Sequence, residues 1–213
     1  MSIQLPNGAT VAIASGYAAA LAISAISNAF PAVATTAANT FAIGDFVELT
    51  SGWGNLTNKV VRLSAATATT ATLEGIDTTS LVRFPAGGGA GSIRKVTGYT
   101  SLGQIIESGS SGGEQQFVKF QFLDAAVESQ APTIKSAAQL TFGLADDITL
   151  PGYILAKAAN DDGAQRAVKI TLKAGGIISH NAYVTVQDNP SLSVNALMAV
   201  QCTMSLLCSP VRY

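Results

Sequence analysis

Met198-Ala-Val-Gln-Cys-Thr-Met-Ser-Leu-Leu-Cys208 sets Met198, Val200, Cys202, Met204, Leu206 and Cys208 at even positions, with Gln201, Thr203 and Ser205 between them. Successive side chains of an extended chain point to opposite faces, so this spacing predicts a long strand with one buried face. The same alternation sets Val168, Ile170 and Leu172 against Lys169, Thr171 and Lys173, and Leu140, Phe142 and Leu144 against Thr141 and Gly143. Ala182, Val184 and Val186 alternate with Tyr183, Thr185 and Gln187. Four such strands predict a mainly β fold, a β-sandwich or barrel whose second face meets water or another subunit. Cys202 and Cys208 are six residues apart on one strand, beyond disulfide reach at about 3.3 Å per residue, and are expected as free thiols.

One short helix is expected at about residues 151–160. Asp146, Asp147 and Thr149 offer oxygens to its N-terminus, Pro151 suits its first turn, and Asn160-Asp161-Asp162-Gly163 supplies a stop. Leu150, Ile154, Leu155 and Ala158 form its expected packing face, with Tyr153 and Lys157 nearer the edge. Upstream, residues 101–124 predict a large hairpin, with strands near 102–106 and 117–123. Its expected tip, Glu107-Ser-Gly-Ser-Ser-Gly-Gly-Glu114, holds no apolar residue and reads as flexible. Val118, Phe120 and Phe122 share the hairpin's expected core face, and Lys119 and Gln121 its polar face.

Residues 23–96 have another texture. Short candidate strands at 46–49, 60–63 and 70–76 lie between turn residues, which predicts a small β module inserted between residues 1–22 and 97–213. The glycine cluster at 87–91 predicts a flexible loop leading back to the main sheet through residues 92–96.

Charge narrows the function. Only 12% of the 213 residues are charged, about half the ~25% of an ordinary soluble domain. No Asp, Glu, Lys or Arg precedes Asp45, and none lies between Asp188 and Arg212. Permanently buried interfaces lose charge at their centres, so two neutral ends point to contacts between copies of the chain. The net charge of −1 argues against a protein that grips phosphates through a basic patch. The first basic residue, Lys59, follows the Ala-rich stretch 17–34, so no signal peptide is expected, and that stretch is too weakly apolar for a membrane span. A soluble protein made in the cytoplasm is expected.

Catalytic chemistry finds few candidates. His180 is the single histidine and reads as an ordinary strand-end residue without a metal-ligand pattern. No Gly-x-Ser-x-Gly elbow occurs, and no Gly-Lys-Ser/Thr follows the glycine cluster. The pairs Asp146-Asp147 and Asp161-Asp162 lack EF-hand spacing. No enzyme activity, cofactor or metal is expected.

The run Phe117-Val-Lys-Phe-Gln-Phe-Leu123, then Ser136-Ala-Ala-Gln-Leu-Thr-Phe142, Asp146-Asp-Ile-Thr-Leu-Pro-Gly152, Arg166-Ala-Val-Lys-Ile-Thr-Leu172 and the closing strand resemble the major tail tube proteins of long-tailed bacteriophages. The resemblance covers about residues 97–213 and the first twenty or so. It implies a virion protein of the tail, a β-sandwich or barrel flanked by one helix. Six copies would close a ring lined by inner strands, and rings would stack into a tube that passes DNA without binding it specifically. It also implies loop and terminal-arm contacts between rings and contacts with other tail proteins. On that reading Glu107, Gly109, Ser111, Gly113 and Glu114 contact a neighbouring subunit or ring, and Lys119 and Gln121 line the channel. The segment 23–96 is similar to a small β-barrel module inserted in many virion proteins. A head decoration or baseplate protein and a glycan-binding β module are the alternatives. The second lacks aromatic platforms, with Trp53 the single tryptophan.

Overall fold

The computed structural model describes residues 7–192, 194 and 196–213. The arm expected at the start of the chain falls largely on residues 1–6, outside the described residues. The chain runs through β1 (Thr10–Tyr17), β2 (Leu21–Ile26), β3 (Ala32–Thr36), β4 (Phe46–Ser51), β5 (Val60–Ala66), β6 (Thr70–Leu73), β7 (Gly91–Ser101) and β8 (Ile105–Ser111). It continues through β9 (Gln115–Phe120), β10 (Ser129–Lys135), β11 (Gln139–Ala145), helix α1 (Pro151–Asp162), β12 (Gln165–Thr171), β13 (Ile177–Val186), β14 (Ala199–Leu206) and β15 (Val211–Arg212). The fold is mainly β with one short helix.

Strands β2, β3, β6, β5, β4 and β7 pair in that order, and β7 pairs back onto β2 to close a six-stranded barrel. Closure leaves none of these strands with a free edge. Ile23, Val47, Leu49, Leu63, Leu73 and Ile93 fill the interior, with Trp53 and Phe84 packed against them. The indole Nε1 of Trp53 donates to the Pro85 carbonyl at 2.9 Å, so this tryptophan is a core residue and no glycan platform. The glycine cluster expected as a flexible loop is packed instead. A Cβ on Gly88 would stand 2.8 Å from the Trp53 ring and one on Gly89 3.0 Å from it, so only glycine lets the backbone cross the indole there.

The second half of β7 leaves the barrel and pairs with β1, and the sheet continues through β12, β13, β14, β11 and β8. The alternation read in the sequence is realised in β14, where Val200, Cys202 and Met204 are buried. The strand stops at Leu206, short of Cys208, whose Sγ lies 3.1 Å from the Asn58 carbonyl. Both cysteines are free.

Helix α1 runs two residues past its expected end and stops at Gly163, the last residue of the expected stop, whose φ of 62° is the left-handed conformation glycine adopts without strain. Its N-terminus departs from expectation: Leu150 is the cap and no side chain caps it. Asp147 instead accepts bonds from the amide and hydroxyl of Thr149, at 3.0 and 2.6 Å. The packing face differs too. Gly152, Ala156 and Ala159 are buried, while Ile154 is exposed. A Cβ on Gly152 would lie 2.2 Å from the Ser101 carbonyl, so the helix sits against the strand backbone and only small residues fit between them.

The predicted hairpin is also rearranged. Residues 107–111 belong to β8, which pairs with β11, while β9 pairs with β10. The polar Gly/Ser run forms a strand because β11 offers it a ladder, a non-local partner that local composition does not reveal. His180 lies within β13, not at a strand end.

Barrel and open sheet are joined by a third buried cluster of Ala14, Phe46, Val60, Val96 and Ala167. Around it the Ser179 hydroxyl donates to the Val60 carbonyl at 2.8 Å, the Arg62 amide donates to the Tyr213 hydroxyl at 2.7 Å, and the Ala167 amide donates to the Tyr17 hydroxyl at 2.7 Å. Buried Glu48 pairs with Arg94 at 2.8 Å and accepts from Gln165 Nε2 at 2.5 Å.

Candidate assembly surfaces

Ser111 of β8 stands opposite Gln139 of β11, and from this end of the sheet the chain departs into the β9–β10 hairpin. At its root the Glu114 amide donates to the Ser136 hydroxyl at 3.0 Å and the Ser136 amide to the Glu114 carbonyl at 2.8 Å. Beyond that clamp β9 and β10 pair only with each other among the described residues. Val118, Phe120 and Phe122, expected as a core face, are 51%, 40% and 67% exposed. Among the described residues no layer packs beneath them, so the core that the alternation predicts is not supplied by these residues. The Phe120 and Phe122 rings meet edge to face at 5.5 Å, and Leu123, Val127 and Ile134 add exposed apolar surface. An isolated two-stranded hairpin is marginal in water, and a contiguous exposed apolar face marks an interaction site.

The other face carries Lys119, whose ammonium lies 3.6 Å from Glu128. Gln121, one residue past β9, donates from Nε2 to the Ala125 carbonyl at 2.8 Å and so braces the turn. Glu107, Gly109 and Ser111 lie on β8, the last strand of the sheet, which among the described residues uses only one of its edges. Gly113 and Glu114 link β8 to β9, with Gly113 in a left-handed conformation at φ 79°. Beside β8 a groove of about 520 Å³ is lined by Val11, Ile105, Leu140, Phe142 and Ile170.

The opposite end of β11 carries a second apolar surface, formed in part by the uncharged stretch after Asp188 that the charge pattern marks for contacts between copies. Ala145 pairs with Ala199 there, and the Asp146 amide donates to the Met198 carbonyl at 3.0 Å. Ile148, Ile154, Leu192, Val194, Leu197 and Met198 are exposed around this end. Lys157 of α1 binds Asp188, which raises its pKa and holds the segment after β13 to the helix. The legible signal was the uncharged stretch after Asp188 with several large apolar residues.

Catalytic groups do not converge. Among the described residues no three His, Cys, Asp or Glu side chains cluster as metal ligands. His180 is buried without a hydrogen-bond partner for either ring nitrogen, and burial lowers its pKa to about 4. Burial likewise pushes the Cys202 thiol up to about 12. No helix is long and apolar enough to cross a membrane among the described residues.

An exposed apolar hairpin and a sheet edge unpaired among the described residues are features of self-associating proteins. The profile of the phage tail tube protein family, TTP, matches residues 51–213, and the chain belongs to that family. It is a structural component of the phage tail, assembling with itself and with other tail proteins. No protein of curated function matches the chain.

Proposed function

We propose that this chain polymerises head to tail into stacked hexameric rings that form the wall of the tail tube, through which DNA passes. The observation that carries the reading is the pair of exposed apolar surfaces at opposite ends of β11: the β9–β10 hairpin at one end, and Ile148, Ile154, Leu192, Val194, Leu197 and Met198 at the other. Two different surfaces that bind each other make a heterologous contact, and such contacts either close into rings or propagate as open filaments. In this reading the apolar face of Val118, Phe120 and Phe122 docks on the next copy. The free edge of β8, with Glu107, Gly109 and Ser111, and the hairpin root, with Gly113 and Glu114, meet neighbouring subunits. Lys119 and Gln121 turn towards the channel. A wall without unpaired cations offers DNA phosphates little salt-sensitive attraction, and the Lys119–Glu128 pair fits that requirement. The barrel spanned by residues 23–96 is a module inserted between 1–22 and 97–213 that faces outward from the tube.

Cysteine cross-linking tests the contact. Leu123→Cys at the hairpin tip combined with Leu197→Cys at the opposite end is expected to give a ladder of covalent multimers from assembled protein under mild oxidation. Each single variant is expected to give none. Tubes that form without a ladder would refute the head-to-tail contact, while wild-type protein that forms neither rings nor tubes would refute the tube reading itself.

A further inference from the structure

Five cations lie on the barrel strands and their connections, and three of them have a carboxylate within 4 Å. Arg62 pairs with Glu74, Arg94 with Glu48 and Lys95 with Asp45. The two without such a partner among the described residues, Lys59 and Arg83, line the same cleft of about 160 Å³ at the barrel's junction with the segment after β14. Asn55, Asp77 and Ser209 complete its polar wall. The half-buried Lys59 ammonium donates to the Ser209 hydroxyl at 3.2 Å, which leaves further N–H groups free because an ammonium carries three. Burial lowers the Lys59 pKa, the nearby Cys208 thiol opposes that shift in part, and the Arg83 charge adds to it. Asp77 faces the same cleft, but one of its oxygens already accepts from the Thr79 amide at 2.9 Å and hydroxyl at 2.7 Å. Two cations against one carboxylate leave an excess positive charge. The space is several times the roughly 30 Å³ share of a water molecule, room for a carboxylate or a phosphate.

We propose that this cleft is an oxyanion-binding site, in which Lys59 and Arg83 hold a phosphate-sized anion or a carboxylate from a second copy of the chain. A phosphate would accept from the Lys59 ammonium and from the planar guanidinium of Arg83, whose fork suits two oxygens at once. The half-buried setting of Lys59 strengthens its contact relative to a fully exposed lysine, while Arg83 is exposed and contributes mainly its charge and its fork. The site is independent of the hairpin contact, because it lies on the barrel and not on β9–β10.

The test uses the full chain, with inorganic phosphate as the probe and chloride at equal ionic strength as the reference. Phosphate stabilises most proteins slightly by exclusion from their surfaces, so the informative quantity is the part of the melting shift that depends on the two cations. Millimolar phosphate is expected to raise the melting temperature of the wild type, and of a Lys173→Gln control, by several degrees more than that of Lys59→Gln or Arg83→Gln. The Lys59 ammonium, followed by NMR, is expected to titrate at higher pH in phosphate than in chloride. Phosphate that also slows polymerisation identifies the natural occupant as a carboxylate of a neighbouring copy. Phosphate that leaves polymerisation unchanged identifies a free anion. Equal melting shifts in wild type and both variants, together with a Lys59 titration unmoved by phosphate, would overturn the proposal.

Discussion

The barrel and the open sheet are built from similar strands and end in opposite ways. In the barrel each of six strands has two neighbours, and the interior closes over Leu49, Leu63, Leu73 and Ile93. In the other half the sheet runs out at β8, and the β9–β10 hairpin exposes Val118, Phe120 and Phe122 on the face that alternation marks as apolar. A closed sheet satisfies its own backbone and buries its own apolar face. The open one leaves an edge and an apolar face without a partner among the described residues, and the proposed function assigns them to another copy. The difference teaches that the same period-two pattern can encode an intramolecular core or an intermolecular one, and that only the partner decides which.

Truncations of apolar side chains to alanine in the two halves should therefore separate stability from assembly. Leu73→Ala is expected to cost about 2–5 kcal/mol, since Leu73 is fully buried in the barrel and the surrounding strands cannot collapse into the space. Phe120→Ala is expected to stay within about 0.5 kcal/mol of wild type in urea unfolding of the monomer, while tube yield falls sharply. Equal losses of stability would erase the distinction.

The buried histidine gives a pH-dependent test of the open half's core. Its folded pKa of about 4 lies below the ordinary 6.5, so the unfolded chain binds the proton more readily. Stability is complete above about pH 6.5 and drains away as the pH falls towards 4, by up to ~3 kcal/mol. His180→Leu removes this component. Urea midpoints at neutral pH and near pH 4.5 should show the variant gaining on the wild type in acid, and parallel curves would show that His180 is not buried in its neutral form.

Gly152→Ala tests the close contact of α1. On an exposed helix the change would stabilise by about 1 kcal/mol. Here a methyl would meet the Ser101 carbonyl, and a loss of about 1–3 kcal/mol is expected from overpacking. The smallest thermodynamic effect is expected for Gln121→Lys, with stability within about 0.5 kcal/mol and tubes intact. If that face lines the channel, DNA ejection slows, and most at low salt, where the added attraction is least screened.

Strands β11, β12, β13 and β14 were readable because Phe142, Val168, Val184 and Met204 alternate with polar residues, whereas β1 and β10 were not read. The barrel's β4, β5 and β6 were readable as short runs between turn residues. β2 and β3 were not, because Leu21–Ile26 and Ala32–Thr36 are built mainly of Ala, Ser and Thr, small residues whose contrast between faces is weak. The helix was readable from Pro151 and Gly163, yet its buried face was not, since Gly152, Ala156 and Ala159 pack by being small and carry little hydrophobic signal. The pairing of β8 with β11 escaped because Glu107–Ser111 has no apolar pattern and borrows its ladder from residues about thirty positions away. The apolar assembly surface at the helix end lay in plain view as an uncharged stretch, but only the fold shows that it sits opposite the hairpin.

Electron microscopy of the Phe122→Asp variant, beside the wild type at equal concentration, tests the central claim most directly. Phe122 lies just past β9 on the exposed apolar face, so a carboxylate there leaves the monomer fold intact and desolvates at great cost in any contact that buries it. The account predicts wild-type tubes, and a variant that melts like the wild-type monomer and forms no tubes. Tubes of normal length from the variant would contradict it.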